Sequence, residues 1–146
     1  MFAYDAIDAY LESHLDESIA ELQRFVAQPS VAAQNWGLPE CAELTAEMLR
    51  KRGFRVEIFP TGGAPIVFGE RKGNSHKTLL FYNHYDVQPP EPLELWETPP
   101  FEPSLRDGKL YGRGVSDDKG HLTARLFALD AACRIRRAAL PCQVHH

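Results

Sequence analysis

Two short clusters in this 146-residue chain carry side chains that can do chemistry together. The first is His84-Tyr85-Asp86. In an extended segment residues i and i+2 point the same way, so the imidazole and the carboxylate can project toward one spot. One can ligate a metal while the other orients it, because a ligating histidine commonly donates its second N–H to a carboxylate. The plainer reading is a surface histidine at a strand end. The second cluster runs from Gly112 through Arg113, Gly114, Val115, Ser116, Asp117, Asp118 and Lys119 to Gly120, two glycines leading into adjacent acids at a helix start. Carboxylates are favoured there by the helix dipole and as caps, so capping alone is the competing account. Brought together from two strand ends, an imidazole and a carboxylate form a mixed N/O site of the kind that suits zinc or manganese.

The elements that must position these clusters can be read from spacing. Apolar residues at steps of three and four from Tyr4 to Val26 predict one amphipathic helix, stopped by Pro29. A second helix is expected to start near Pro39 and end at Gly53. Phe54, Val56 and Ile58 alternate with charged residues, and Ile66 to Phe68 follow a Gly-rich turn, which predicts an antiparallel edge pair. The continuous apolar run Thr78 to Tyr82 reads as a central strand covered on both faces, with His84 just past its carboxyl edge, where open α/β sheets bind ligands. Six of eleven prolines lie between Pro89 and Pro103, so Val87 to Ser104 should be a stiff, partly extended loop. Arg106 to Lys109 reads as a turn, Leu110 and Tyr111 as a short strand, Asp117 to Arg137 as a helix, and Leu140 to Val144 as the start of another strand.

Composition narrows the function classes. With 44% hydrophobic and 25% charged residues the chain can bury a core. Twenty acidic against sixteen basic residues, a net charge of −4, leave no electrostatic footprint for nucleic acid. No apolar run approaches the roughly 20 residues of a membrane span. The acidic start Met1-Phe2-Ala3-Tyr4-Asp5 lacks the basic region of a signal or transit peptide, so the expected location is cytoplasmic. Cys41, Cys133 and Cys142 are widely spaced and odd in number, and are read as reduced, partly buried thiols. His14, His76 and His121 are expected to face solvent or lie in a loop.

The blocks Asn83 to Pro89, Trp96, Pro100 to Pro103, Asp107-Gly108 and Leu110 to Gly120, in this order, resemble the M20 metallopeptidase family, and its cytosolic dipeptidases in particular. The resemblance extends from the N-terminal helix, including Phe25 to Ser30, across essentially the whole chain. It implies an α/β catalytic domain with two zinc ions bridged by a water or hydroxide, manganese or cobalt being possible substitutes. In that reading His84 ligates one metal, Asp86 acts catalytically by holding His84, Asp117 bridges both metals, and the Asp117-Asp118 peptide is cis. The family takes its proton-transferring base from a Glu-Glu pair. This sequence departs there, because its last glutamate is Glu102. His145 and His146 are read as tail residues rather than replacement ligands.

The expectation is therefore the N-terminal part of a single M20-type catalytic domain over residues 1–146, an α/β fold with a mixed sheet flanked by helices, truncated at its C-terminus and without the lid and dimerisation domain. The expected function is metal-dependent hydrolysis of a dipeptide, small peptide or N-acyl amino acid, with this chain inactive alone. The alternatives are a non-catalytic interaction module and an enzyme half completed in trans. Family members are often homodimers, and an uncovered strand edge would favour self-association.

Overall fold

The amphipathic periodicity at the start of the chain produces two helices rather than one. A computed structural model, describing residues 4–73 and 76–139, has α1 over Tyr4–Ser13 and α2 over Leu15–Ala27. The break is local. The Ser13 hydroxyl donates to the Tyr10 carbonyl at 2.8 Å, and His14 Nδ1 reaches the same oxygen at 2.8 Å. Side chains thus compete with the backbone ladder for one acceptor. The His14 ring stacks on Tyr10 with centroids 4.0 Å apart, so this histidine is half-buried and not the solvent-facing residue expected.

Helix α3, Leu38–Arg50, carries Pro39 in its first turn as predicted. Its end is a Schellman motif: Gly53 adopts φ +78, its N–H bonds the Arg50 carbonyl at 2.9 Å, and the Phe54 N–H reaches back to the Leu49 carbonyl at 3.2 Å. The expected antiparallel pair follows as β1, Arg55–Phe59, and β2, Ile66–Glu70, with Val56 opposite Gly69 and Ile58 opposite Val67. This ribbon packs on α3. The core joins Phe25 of α2, Leu38, Cys41, Ala42 and Met48 of α3, Tyr85, and Leu126 of the last helix.

The segment 78–82 corrects the expectation of a central strand. It joins no sheet among the described residues, where the strands form two separate antiparallel pairs. Leu79, Leu80 and Tyr82 are 73%, 83% and 82% exposed. An apolar run becomes a covered strand only when neighbours exist on both sides, and among the described residues no strand flanks this one.

The Pro-rich loop is held by its own side chains. Trp96 Nε1 donates to the Pro90 carbonyl at 2.8 Å, the Arg113 guanidinium lies 5.3 Å from the Trp96 ring centre, and Leu93–Leu95 form one 3₁₀ turn. The loop ends in a hairpin of which the sequence pattern shows the turn and the second strand: β3, Ser104–Arg106, pairs with β4, Lys109–Tyr111. Asp107 and Gly108, at φ 51 and 72, form the two-residue turn that Asp-Gly favours. The last helix, α4, spans Gly120–Ala139, three residues later than predicted, because Val115–Lys119 form a π-turn in which Asp117 is non-helical. The strand expected at Leu140 to Val144, with Cys142, His145 and His146, lies outside the described residues. Of the other two cysteines, Cys41 is buried and Cys133 half-buried, both as free thiols.

One buried charge network locks the helices together. The Arg52 side chain, 4% exposed, donates to both carboxylate oxygens of Glu21 at 2.7 and 2.9 Å, to Asp130 at 2.7 Å and to the Met48 carbonyl at 3.0 Å. Arg52→Ala removes the two-pronged partner of the nearly buried Glu21 carboxylate, leaves it only the 3.9 Å contact with Lys51 Nζ, and should destabilise the fold by about 3–5 kcal/mol. Arg24→Ala, which breaks the exposed two-pronged pair with Glu47, should cost less than about 1 kcal/mol. Chemical denaturation of the two variants checks this, and similar losses would mean that burial does not set the worth of these pairs.

Candidate metal centre

The two clusters singled out in the sequence meet, and the route by which they do so starts at the end of α2. Residues 30 and 31 run beside 85–87: the buried Ser30 hydroxyl donates to the Tyr85 carbonyl at 2.6 Å, the Val87 N–H donates to the Ser30 carbonyl at 2.8 Å, and Val31 bridges Val87 in parallel. Tyr85 points inward and its hydroxyl donates to the Pro65 carbonyl at 2.6 Å. Burial raises the Tyr85 phenol to about 12. With Tyr85 facing the core, alternation turns His84 and Asp86 to the opposite side.

The turn carrying Asp117 is anchored on the same stretch of chain. The fully buried Lys119 ammonium donates to the carbonyls of Phe25 at 3.0 Å and Gln28 at 2.6 Å. Burial lowers its pKa. Three glycines let the turn close down. A Cβ on Gly112 would lie 2.7 Å from Val26 Cγ1, one on Gly114 2.6 Å from Val87 Cγ1, and one on Gly120 2.1 Å from the Val115 carbonyl oxygen. The Asp117-Asp118 peptide is cis, as the family resemblance implied.

These anchors bring His84 Nε2 to 3.1 Å from Asp117 Oδ1. On the other side of the ring, Nδ1 lies 3.0 Å from the Asp86 carbonyl oxygen and 3.4 Å from its carboxylate. A carbonyl oxygen only accepts, so Nδ1 carries the proton and Nε2 is the nitrogen turned to Asp117. Burial opposes the charged imidazole, but the Asp86 carbonyl and the carboxylates of Asp86, Asp117 and Asp118 outweigh it and hold the His84 pKa above its ordinary value. Asp117 itself is 78% exposed.

Asp118 does something else. It makes no helix cap. Its Oδ2 accepts from Asn83 Nδ2 at 2.6 Å and from the His84 backbone N–H at 3.3 Å, while Oδ1 meets His121 Nδ1 at 2.5 Å. Burial works against its charge, yet these donors keep its pKa below the usual carboxylate range. His121 faces solvent, as expected, and is partnered by Asp118. Arg125 completes the contact, donating to Asn83 Oδ1 at 2.6 Å and to the Tyr82 carbonyl at 2.8 Å. The spacing of Asp118, His121 and Arg125 places them on one helical face, a signal available in the sequence but without meaning until that face has a neighbour.

Two donors of one tetrahedral zinc, each about 2.0–2.2 Å from the ion, stand roughly 3.3 Å apart. His84 Nε2 and Asp117 Oδ1 fit that spacing, and the Asp86 backbone carbonyl, with its carboxylate at 3.4 Å, lies where a ligating histidine usually finds the acceptor for its second N–H. Among the described residues no group of three or more His, Cys, Asp and Glu side chains is arranged to hold a metal ion. The pair thus offers two of the four ligands zinc takes. Beside it lies a cavity of about 450 Å³, walled by apolar residues including Leu49, Phe54, Leu80 and Leu126, with His84 and Asp86 at its border.

The sequence profile of Peptidase family M20/M25/M40 matches residues 80–139. Succinyl-diaminopimelate desuccinylase of Bordetella avium is 38% identical over 105 residues, 72% of this chain and 27% of that protein. The enzyme of that name from Dechloromonas aromatica is 34% identical over 116 residues, covering 80% of this chain and 30% of its own length. Among solved structures, an M20 family metallo-carboxypeptidase from Sulfolobus solfataricus superposes with a TM-score of 0.79 at 39% identity, over 82% of this chain and 28% of that one. A di-peptidase from Saccharomyces cerevisiae gives 0.78 at 25% identity, over 88% and 31%. Human carnosine dipeptidase 1 gives 0.74 at 29% identity, over 90% and 31%. The chain spans under a third of the length of each of these relatives.

The close approach at the Asp117 turn can be tested against a glycine of the same backbone type in open space. Gly108, at φ +72, has nothing within 4 Å of a built Cβ, whereas Gly114, at φ +90, meets Val87. Gly108→Ala should cost about 1–2 kcal/mol for the left-handed backbone alone. Gly114→Ala should cost clearly more. Equal shifts in urea midpoint would show that the Val87 contact does not constrain the turn.

Proposed function

The chain belongs to the M20/M25/M40 peptidase family, and from that premise we propose that it carries half of a metal-dependent amide hydrolase site, with His84 and Asp117 as metal ligands and Asp86 as the residue that orients His84. The observation that carries this reading is the 3.1 Å approach of His84 Nε2 to Asp117 Oδ1, with Nδ1 held by Asp86 on the opposite side. Zinc is the metal of choice, two ions per complete site, with manganese or cobalt as substitutes; when bound, the metal supplies polarisation of a scissile carbonyl and acidification of a water. Asp86 keeps the proton on Nδ1 and so leaves the Nε2 lone pair available. Asp117 projects its carboxylate into the open, free to bridge a second ion.

The proposed substrate is a dipeptide or a small N-acyl amino acid. The dipeptidase half of this reading is supported by likeness to two dipeptidase structures over 88% and 90% of the chain, the N-acyl half by the desuccinylase relatives. Residues 1–146 then correspond to the N-terminal part of one catalytic domain. The Glu-Glu pair that the family resemblance implies for the base has no counterpart after Glu102, the last glutamate of the sequence, and the reading is that catalysis by these residues alone lacks the proton-transfer step of that pair, worth roughly 10²–10⁴ in rate. A half-site completed by another chain, or a module that keeps the fold for binding alone, remains the alternative use of the same geometry. Among the described residues no helix is long and apolar enough to cross a membrane, and a cytoplasmic location is part of the proposal.

Zinc calorimetry tests the half-site. Two protein ligands completed by water should bind zinc only weakly, and His84→Ala should abolish the signal. Nanomolar affinity would mean that further ligands from the chain take part. Dipeptide hydrolysis should be absent with added zinc or manganese; turnover that vanishes in Asp117→Ala would overturn the incompetence of this chain.

The exposed apolar run Leu79 to Tyr82 also supports self-association. Light scattering over a concentration series should show a mass that rises with concentration. A strictly monomeric species with a sharp thermal transition would show that these residues bury enough surface by themselves.

A further inference from the structure

We propose that Arg125 and Asp118, with His121 behind Asp118, act as a polar clamp on α4 that positions His84 for the metal by gripping residues 82–84; the proposal rests on the metal reading above. The grip is complete in hydrogen-bonding terms. Arg125 Nη1 donates to the Tyr82 carbonyl at 2.8 Å and to Asn83 Oδ1 at 2.6 Å. The other end of the Asn83 amide donates to Asp118 Oδ2 at 2.6 Å, and the same oxygen accepts the His84 N–H at 3.3 Å. Only one orientation of the Asn83 amide satisfies a cation on one side and a carboxylate on the other. His121 fixes the remaining Asp118 oxygen.

This clamp adds to the pairing of residues 85–87 with 30–31, and acts on the side of His84 where no strand pairs among the described residues. Residues 78–82 have no strand neighbour among the described residues, so no backbone ladder sets their register on the side approaching the site. A slip of one residue along an extended chain moves each side chain by about 3.3 Å, enough to remove His84 Nε2 from Asp117. Asp117 and Asp118 are adjacent and divide the work: the exposed carboxylate faces the metal position, and its buried neighbour holds the backbone of the opposing ligand. The register of the two donor atoms is thereby built into one turn and one helix face. Arg125 is exposed and Asn83 half-buried, so neither is needed to fill the core.

The sign of one effect separates positioning from charge. Removing a cation near a metal site strengthens metal binding by Coulomb's law, whereas losing a positioning residue weakens it, typically 10–100-fold. In the 146-residue chain, Arg125→Met should melt close to the parent protein, lose about tenfold or more in zinc affinity by calorimetry, and speed hydrogen exchange at the His84 amide measured by NMR. Arg125→Lys, able to reach one acceptor, should recover part of both. Tighter zinc binding in Arg125→Met, or unchanged exchange at the His84 amide, would overturn the clamp. If the parent chain takes up no zinc, the metal reading falls by itself, and the amide exchange rates of the metal-free variants still decide the clamp: faster exchange in Arg125→Met and in Asn83→Ala supports it, unchanged exchange in both refutes it.

Discussion

A buried ammonium group organises this structure. Lys119 is fully enclosed and its charge is met by two carbonyl oxygens at the end of α2, those of Phe25 and Gln28. An unpaired cation in that position would be several kcal/mol unfavourable, so the turn bearing Lys119 cannot leave the end of α2 without exposing or stranding the charge. Those carbonyls are themselves groups that a helix end leaves without partners. Each side therefore satisfies the other, and Asp117, two residues before Lys119, is held at a fixed place above α2.

The same stretch of backbone fixes the other half of the site. Ser30, just past α2, takes up both the Tyr85 carbonyl and the Val87 amide, and Val31 lies in parallel register with Val87. The segment 25–31 is thus a common frame, with the Asp117 turn attached through a side chain and the His84 segment attached through backbone pairing. Relative motion of the two donors requires one attachment to break. The glycines at 112 and 114 allow the turn to lie directly against Val26 and Val87, which shortens the path between the attachments to a few van der Waals contacts.

What the sequence made legible follows from what is local. The Schellman end of α3 at Gly53, the register-defining alternation of β1 and the Asp107-Gly108 turn depend on neighbours in the chain, and all were readable. His84, Asp86 and Asp117 were readable as chemistry because i, i+2 alternation and the glycine-flanked acids need no tertiary information, although their roles toward a metal remain a proposal. The break at His14 was not readable, because an apolar stripe continues through it while one carbonyl is claimed by two side chains. Ser104 to Arg106 holds a single apolar residue, Leu105, which faces solvent, and the segment is a strand only through its partner. Residues 78–82 fail in the opposite sense: their pattern states what they would be when covered, and cover is a property of other segments. Arg125 and the inward role of Asp118 were illegible for that reason too, since their partners lie some forty and thirty-five residues earlier.

Order at the site is consequently separable from burial of the strand-like run beside it. Covering a leucine or phenylalanine side chain is worth about 1.5–3 kcal/mol, and Leu79, Leu80, Phe81 and Tyr82 gain little of this here because they stand in solvent. If apolar burial were the force placing His84, the histidine would be as loosely held as the run that precedes it. Instead the hydrogen bonds begin at the Tyr82 carbonyl and become dense at Asn83, His84 and Tyr85. Polar groups with fixed directions therefore define where His84 sits, and the apolar residues before it set only how much surface the protein leaves exposed.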